Sequence, residues 1–185
     1  MRTDTRVERL AKTLTAQVGA DVTSKVIEGC EEIVATASPA KKAKWAKAAM
    51  DRLDAQVPED IRMQVMEQCG RACIGRSTIE RAKTARRSTK GLDEFLDRLN
   101  REHIGGGKLK RDGDIVYARY DRCYCGLVSA TKEPISPTYC HCSRGWVLEL
   151  FEQVFGKSVQ VDLLQSIVQG APFCQFAIHL PPDVG

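Results

Sequence analysis

Hydrophobic residues in the first 104 positions recur at helical spacing. Val7, Leu10, Leu14 and Val18 follow one another at intervals of three or four residues, which places them on one face of an amphipathic helix. The same spacing predicts five more helices: one through Val22, Val26 and Ile33, one opened by Ser38-Pro39, one opened by Val57-Pro58, one capped by Ser77 and one from Leu92 to Leu99. Residues 1–104 are therefore predicted to form a helical region.

The pattern changes after Gly105–Gly107. The segment Asp114–Tyr120 is rich in β-branched and aromatic residues, as strands are. The residues that follow predict an extended piece through Cys123–Val128, a helix capped by Ser143 and ended by Gly156, a strand through Val159–Ile167 and a closing strand Phe173–His179. Residues 112–182 are predicted to form a small antiparallel sheet with one long helix packed across it. The expected fold class is α+β.

Composition changes the picture mainly through cysteine. The hydrophobic share of 43% and the charged share of 28% are those of an ordinary globular protein. No run approaches the roughly 18 apolar residues that a transmembrane helix needs, and the N-terminal segment lacks the apolar core of a signal peptide. We therefore expect a cytoplasmic protein without a membrane partner. Thiols stay reduced in that compartment, so eight cysteines indicate metal or redox chemistry rather than disulfides.

Positive charge is concentrated between Arg81 and Lys90, where five basic residues occur without an acidic one. Such a stripe can bind phosphate groups. It has no interleaved aromatic residues on which bases could stack, so a solvated helix face is the favoured interpretation. Nucleic acid is not an expected partner.

Two Cys-x-Cys pairs are the strongest chemical signal. Cys123 and Cys125 form one pair, and Cys140 and Cys142 form the other. On an extended strand each pair has both sulfurs on one side, and four thiolates are the ligand set of a structural zinc site. The pattern predicts that these four residues bind one metal ion. Zinc is favoured, and an iron–sulfur cluster is the alternative.

Cys142 and His141 precede the predicted cap of a helix. The positive end of the helix dipole is expected to lower the pKa of the Cys142 thiol. A nucleophilic cysteine would also need a base, and His141 is the adjacent candidate. Neighbours in an extended segment point to opposite faces, so His141 is better read as a further ligand or a surface residue.

Cys69 and Cys73 are four residues apart on the fourth predicted helix and share one of its faces. They could complete the same metal site, form a redox pair, bind a second ion or be plain core residues. Gly70 between them indicates a close approach of another backbone. Cys30 is isolated and is interpreted as a core residue.

Three segments of the C-terminal third carry a family resemblance: Cys142–Trp146 (CSRGW), Phe155–Val159 (FGKSV) and Gly170–Ile178 (GAPFCQFAI). Together they resemble the 4-vinyl reductase domain. In that family a helix is opened by a small residue and glycine, and a closing strand carries cysteine. The whole chain, with both Cys-x-Cys pairs, also looks like a cysteine-rich bacterial family.

The resemblance implies a sensory or ligand-binding module, in which some members hold zinc beside a small-molecule pocket. Position by position, Cys140 or Cys142 and then Cys174 match the family's ligands. Its glutamate and its intermediate cysteine fall on Leu163 and Ser166 here, so the family's site is not carried over whole. The resemblance implies that other cysteines complete it, drawn from Cys123, Cys125, Cys69 and Cys73.

Two functions follow from these observations. The first is a metal-binding protein with a small-molecule sensory or binding role. The second is a metal-dependent enzyme, hydrolase-like or iron–sulfur, in which Cys69, Cys73 and Cys174 leave one coordination position open. For that enzyme the expected proton carrier is Glu133 or Glu149.

Overall fold

The computed structural model describes residues 3–182 and 184. Its helices are α1 Thr5–Val26, α2 Pro39–Gln56, α3 Glu59–Arg71, α4 Arg76–Arg87, α5 Leu92–Arg101 and α6 His141–Phe155. Its strands are β1 Leu109–Asp112, β2 Ile115–Tyr120, β3 Gln160–Gln165 and β4 Cys174–His179. The predicted α+β class is confirmed. In this part of the chain no helix is long and apolar enough to cross a membrane.

The sheet is antiparallel, with the strand order β1-β2-β4-β3. Ile178 of the central strand β4 pairs with Val116 of β2 on one side and with Val161 of β3 on the other. These three residues are fully buried, and they share a core with Phe95 of α5 and Phe151 of α6. One face of the sheet is thus covered by helices, and α6 is the long helix that the sequence predicts across it.

A second core joins the N-terminal helices to the second half of the chain. Leu14 of α1, Met50 of α2 and Val65 of α3 are buried together with Leu127 and Tyr139. These last two residues come from the loops between β2 and α6. The helices of the first half therefore complete their core with residues that follow the sheet's second strand.

In the first half of the chain, helix boundaries differ from the predictions at three places. The helix predicted through Val22 and Val26 is the end of α1, which continues through a kink at Gly19, where φ is 82°. Helix α4 begins at Arg76 after Gly75, so the predicted Ser77 cap is wrong. Helix α3 ends at Arg71, which leaves Cys73 in the turn that follows it.

Neither of the segments that carry the Cys-x-Cys pairs is a β-strand. The residues from Cys123 to Val128 form a loop and a turn. A short 3₁₀ turn, Pro137–Cys140, leads directly into α6, which begins at His141 and not after Ser143. At Cys140 and Cys142 the prediction of extended backbone is wrong, because Pro137 with its fixed φ starts a helical turn earlier than the Ser143 cap signal suggests.

Candidate functional site

The crossing of α3 and α6 is where cysteines from distant parts of the sequence meet. Both helices have glycine at the contact: a Cβ added to Gly145 would lie 2.8 Å from the carbonyl carbon of Glu67. Gly70 makes the reciprocal approach to Cys142. Real Cβ atoms do not come this close to other backbone, so only glycine fits. The two backbones are therefore in direct contact, and the cysteines of α3 lie next to the first turn of α6.

A cavity of about 290 Å³ opens beside this crossing. Its walls come from α1, the end of α3, the turn after α5, the end of β2 and the start of α6. We call it the aromatic–thiol pocket, and it is lined by Arg6, Cys73, His103, Gly105, Gly106, Tyr120, Tyr124, Cys125, Cys142, Ser143 and Trp146. The pocket therefore joins the helical half of the chain to the sheet.

Three aromatic side chains form the apolar wall of the pocket, and Gly106 positions one of them. The rings of Tyr120 and Tyr124 meet edge to face, with centroids 5.6 Å apart. Gly106 has a φ of 89°, and a Cβ there would lie 2.6 Å from the Arg119 carbonyl oxygen and overlap the Tyr120 ring. Tyr120 is partly buried, and removal from water raises the pKa of its hydroxyl. Tyr124 is 56% exposed and stands at the rim.

A smaller cavity of about 40 Å³ lies next to the pocket on its thiol side. We call it the thiol cleft. Both cavities are lined by Arg6, Cys73, Cys125 and Cys142. Cys69 lines the thiol cleft but not the aromatic–thiol pocket. Cysteines from α3, from the loop after β2 and from α6 therefore meet around one space.

Polar partners hold two of these sulfurs. The Cys125 Sγ and the Tyr139 hydroxyl are 2.9 Å apart and share a hydrogen bond. Arg9 Nη1 donates to Cys73 Sγ at 3.6 Å. Because Arg9 and Arg6 come from α1, the N-terminal helix supplies the cationic side of the thiol cleft.

Three other cysteines lie close together near Ser166, whose buried side chain interacts with one of them, and we call the four residues the Ser166 cluster. The three cysteines are Cys123, Cys140 and Cys174. Burial raises the pKa of Cys140 to about 12, opposed by a hydrogen bond from Ser166 and reinforced by the neighbouring Cys174 and Cys123 thiols. The Ile167 amide donates to Cys174 Sγ at 3.4 Å. Cys125 also acts on Cys140, so it links this cluster to the thiol cleft.

The expected low pKa of Cys142 is wrong. Burial raises the pKa of this thiol well above its usual value of 9.0, and the thiols of Cys125 and Cys73 raise it further. Removal from water penalises the thiolate more than the end of one helix dipole stabilises it. Burial therefore favours the neutral form of the Cys142 thiol.

His141 lies in the first turn of α6 and not on the pocket. Burial and the nearby Arg144 lower the pKa of its imidazole. Its Nδ1 is buried and has no hydrogen-bond partner among the residues described. It lines neither the aromatic–thiol pocket nor the thiol cleft.

The predicted metal ligands are near one another without forming a coordination site. All eight cysteines are free thiols. Within residues 3–182 and 184, no three His, Cys, Asp or Glu side chains are arranged to hold a metal ion. The site made by Cys123, Cys125, Cys140 and Cys142 stays a prediction, as do the further ligands Cys69, Cys73 and Cys174.

The proton carriers expected for an enzyme lie elsewhere. Glu149 binds Arg71, with 3.3 Å between Oε2 and Nη1, and Glu133 is exposed in a loop. Neither lines the aromatic–thiol pocket.

On the basic helix α4, two of the positive side chains have partners within the chain: Arg81 binds Glu102 at 2.9 Å and Lys83 binds Gln153 at 3.1 Å.

Several pocket residues were not identified from sequence. Arg6, His103, Tyr120 and Tyr124 carry no motif of their own, and Trp146 was noted only as part of the CSRGW segment. The one available signal was the run Gly105–Gly107, since consecutive glycines permit close approach of another group. In the sequence that run marks only the change from helices to strands.

One family model matches nearly the whole chain. A family model described as "Family of unknown function (DUF6144)" matches residues 2–184. No curated protein matches. The crystal structure of the phenol-responsive sensory domain of the transcription activator PoxR with phenol is similar over 77% of this chain and 74% of that chain, with 14% identity and a TM-score of 0.43. That likeness is too low to support an argument. The matched family description does not mention the 4-vinyl reductase domain, so that resemblance stays a prediction.

Proposed function

We propose that this chain, which belongs to the DUF6144 family of unknown function, binds a small, largely apolar organic molecule in the aromatic–thiol pocket. The observation that carries the proposal is the cavity of about 290 Å³ behind Tyr120, Tyr124 and Trp146. An apolar cavity of about 150 Å³ is enough to hold benzene. The pocket is therefore large enough for a molecule of one or two rings.

The position of the pocket suits a sensory role. A ligand there would touch α1, the turn after α5, the end of β2 and the start of α6 at once. It would also cover Tyr124, which is the most exposed aromatic side chain of the wall. Binding would therefore tie the helical half of the chain to the sheet and order the loop after β2, a change that a partner can detect.

Thermal unfolding with a panel of ring compounds tests the proposal. Indole and benzyl alcohol are expected to raise the Tm of the wild-type protein in proportion to the logarithm of their concentration, whereas glycerol is not. Tyr124→Ser should reduce the shift. The control is Tyr117→Ser, because Tyr117 is a tyrosine of β2 that does not line the pocket. An equal shift in both variants, or no shift with any ring compound, would contradict the proposal.

We also propose that the chain holds zinc through the thiols of the Ser166 cluster. The support is chemical: Cys123, Cys140 and Cys174 are close enough for each to act on the titration of another, and Cys125 is adjacent. Cys140 and Cys174 are also the positions that the 4-vinyl reductase resemblance implies. Their sulfurs are not arranged around one point. Binding would therefore require side-chain rotations that bring them to about 2.3 Å from the ion.

When bound, zinc would compensate the negative charge of the thiolates, so that buried thiols could lose their protons.

Metal analysis tests the proposed zinc site. About one zinc per chain is expected in the wild-type protein and in Cys30→Ser, since Cys30 lies outside the Ser166 cluster. Zinc should be lost in Cys140→Ser and Cys174→Ser. A brown colour would show that the site holds an iron–sulfur cluster instead of zinc. Loss of zinc in Cys142→Ser with retention of zinc in Cys174→Ser would favour the site of Cys123, Cys125, Cys140 and Cys142 that the sequence predicts. A metal-free wild-type protein would contradict the proposal.

A further inference from the structure

The aromatic–thiol pocket carries positive charge without a matching negative group in its own lining. Among the residues that the structure describes, the lining has one guanidinium, that of Arg6, together with the ring of His103, and it has no carboxylate. The remaining polar groups are the Tyr and Ser hydroxyls and the thiols.

The carboxylate nearest to Arg6 is shared with a second cation. Asp4 Oδ1 is 3.5 Å from Arg6 Nη1, and Asp4 Oδ2 is 2.9 Å from Lys42 Nζ. Asp4 is only 3% exposed. One buried carboxylate therefore faces two cations, and the group as a whole has an excess positive charge beside the pocket.

The position of Arg6 lets it face a ligand. Its guanidinium packs on Gly126: a Cβ added to Gly126 would lie 3.6 Å from Arg6 Cζ. The side chain is 39% exposed and lines both the pocket and the thiol cleft. Arg9, one turn along α1, is held by Cys73, so a second guanidinium adds to the positive potential on the same side.

We infer that the ligand carries an anionic group on its ring, of the size and chemistry of a carboxylate. This rests on the proposed function. The ring would lie against Tyr120, Tyr124 and Trp146, and the carboxylate would accept hydrogen bonds from Arg6. A guanidinium offers a planar pair of donors that matches a carboxylate. A site with excess positive charge in a partly dry pocket favours an anion over a neutral molecule of the same shape.

Benzoate and benzamide make the test, because they have nearly the same shape and differ in charge. Titration calorimetry of the full chain is expected to give a dissociation constant for benzoate that is about tenfold lower than for benzamide. Arg6→Gln should remove that preference, because benzoate then loses the charged pair of donors while benzamide loses only neutral contacts. Lys12→Gln is the charge-matched control, since Lys12 is exposed on the same helix and does not line the pocket. It should keep the preference.

The outcomes separate this inference from the proposed function. If benzamide binds as tightly as benzoate, or if indole binds and benzoate does not, the anionic ligand is excluded while the pocket remains a binding site. If no ring compound binds, both proposals fail. Arg6→Lys covers the case in which Arg6→Gln does not fold: it keeps the charge, loses the paired donors and should retain an intermediate preference. If Arg6→Lys and Arg6→Gln both keep the full preference for benzoate over benzamide, Arg6 does not bind the carboxylate.

Discussion

Gly70 of α3 lies against the main chain of Cys142 in α6. A Cβ added to Gly70 would be 2.7 Å from the carbonyl carbon of Cys142 and 2.9 Å from the amide nitrogen of Trp146. Backbone atoms cannot move aside as a flexible side chain can. The crossing therefore depends on glycine, and it brings Cys69 and Cys73 next to Cys142.

Gly70→Ala is expected to destabilise the protein by about 3 kcal/mol or more, because the added methyl forces α3 and α6 apart in a well-packed core. Urea unfolding measures the change. Gly91→Ala is the control: nothing lies within 4 Å of a Cβ there, and loss of glycine as helix cap costs under about 1 kcal/mol. Equal costs for the two substitutions would show that the crossing is not tight.

Gly106→Ala is expected to abolish binding of ring compounds in the aromatic–thiol pocket. The added methyl would overlap the Tyr120 ring and approach the Arg119 carbonyl, so the apolar wall would shift. Gly113→Ala separates this clash from backbone strain, since Gly113 also has positive φ, 57°, but open space around it. The ligand-induced rise in Tm should survive in Gly113→Ala. Retained binding in Gly106→Ala would show that Tyr120 does not shape the pocket.

Asp4→Asn is expected to cost about 3 kcal/mol, because it leaves the mostly buried Lys42 ammonium without its carboxylate. Burial alone would raise the pKa of Asp4, but the Arg6 amide and the Lys42 ammonium outweigh it and lower that pKa. The double variant Asp4→Asn/Lys42→Met should recover part of the loss. A double-mutant cycle in urea unfolding measures the coupling, and additive costs would contradict the pairing.

The stability of chelator-treated protein is expected to fall above pH 9. Burial raises the pKa of the Cys69 thiol from its ordinary value of 9.0 to about 11, so the folded state retains a proton that the unfolded chain releases. This contribution is complete below pH 9 and is lost as the pH rises towards 11, amounting to about 2 kcal/mol. Urea midpoints at pH 8.5 and 10.5 measure it. Cys69→Ala should show a smaller decrease between these pH values, and an unchanged decrease would exclude this thiol as a cause.

Local patterns in the sequence account for most of the elements. The spacing of Leu92, Phe95 and Leu99 predicts α5, and all three residues are buried. The β-branched and aromatic run before Tyr120 predicts β2. Strand β1 was missed because its residues Lys110–Asp112 are charged, although Gly113 and Asp114 carry the turn signal of a hairpin.

The sequence alone determined that the chain is α+β, that it has a long helix over a small sheet, and that it is rich in cysteine. Only the tertiary structure decided which cysteines meet. Cys142 faces Cys69 and Cys73 across the glycine contacts, and Arg6 reaches the same cavity from the other end of the chain. Hydrophobic periodicity is a property of each segment by itself. The approach of distant segments depends on how all the buried faces fit together, and no local spacing encodes that fit.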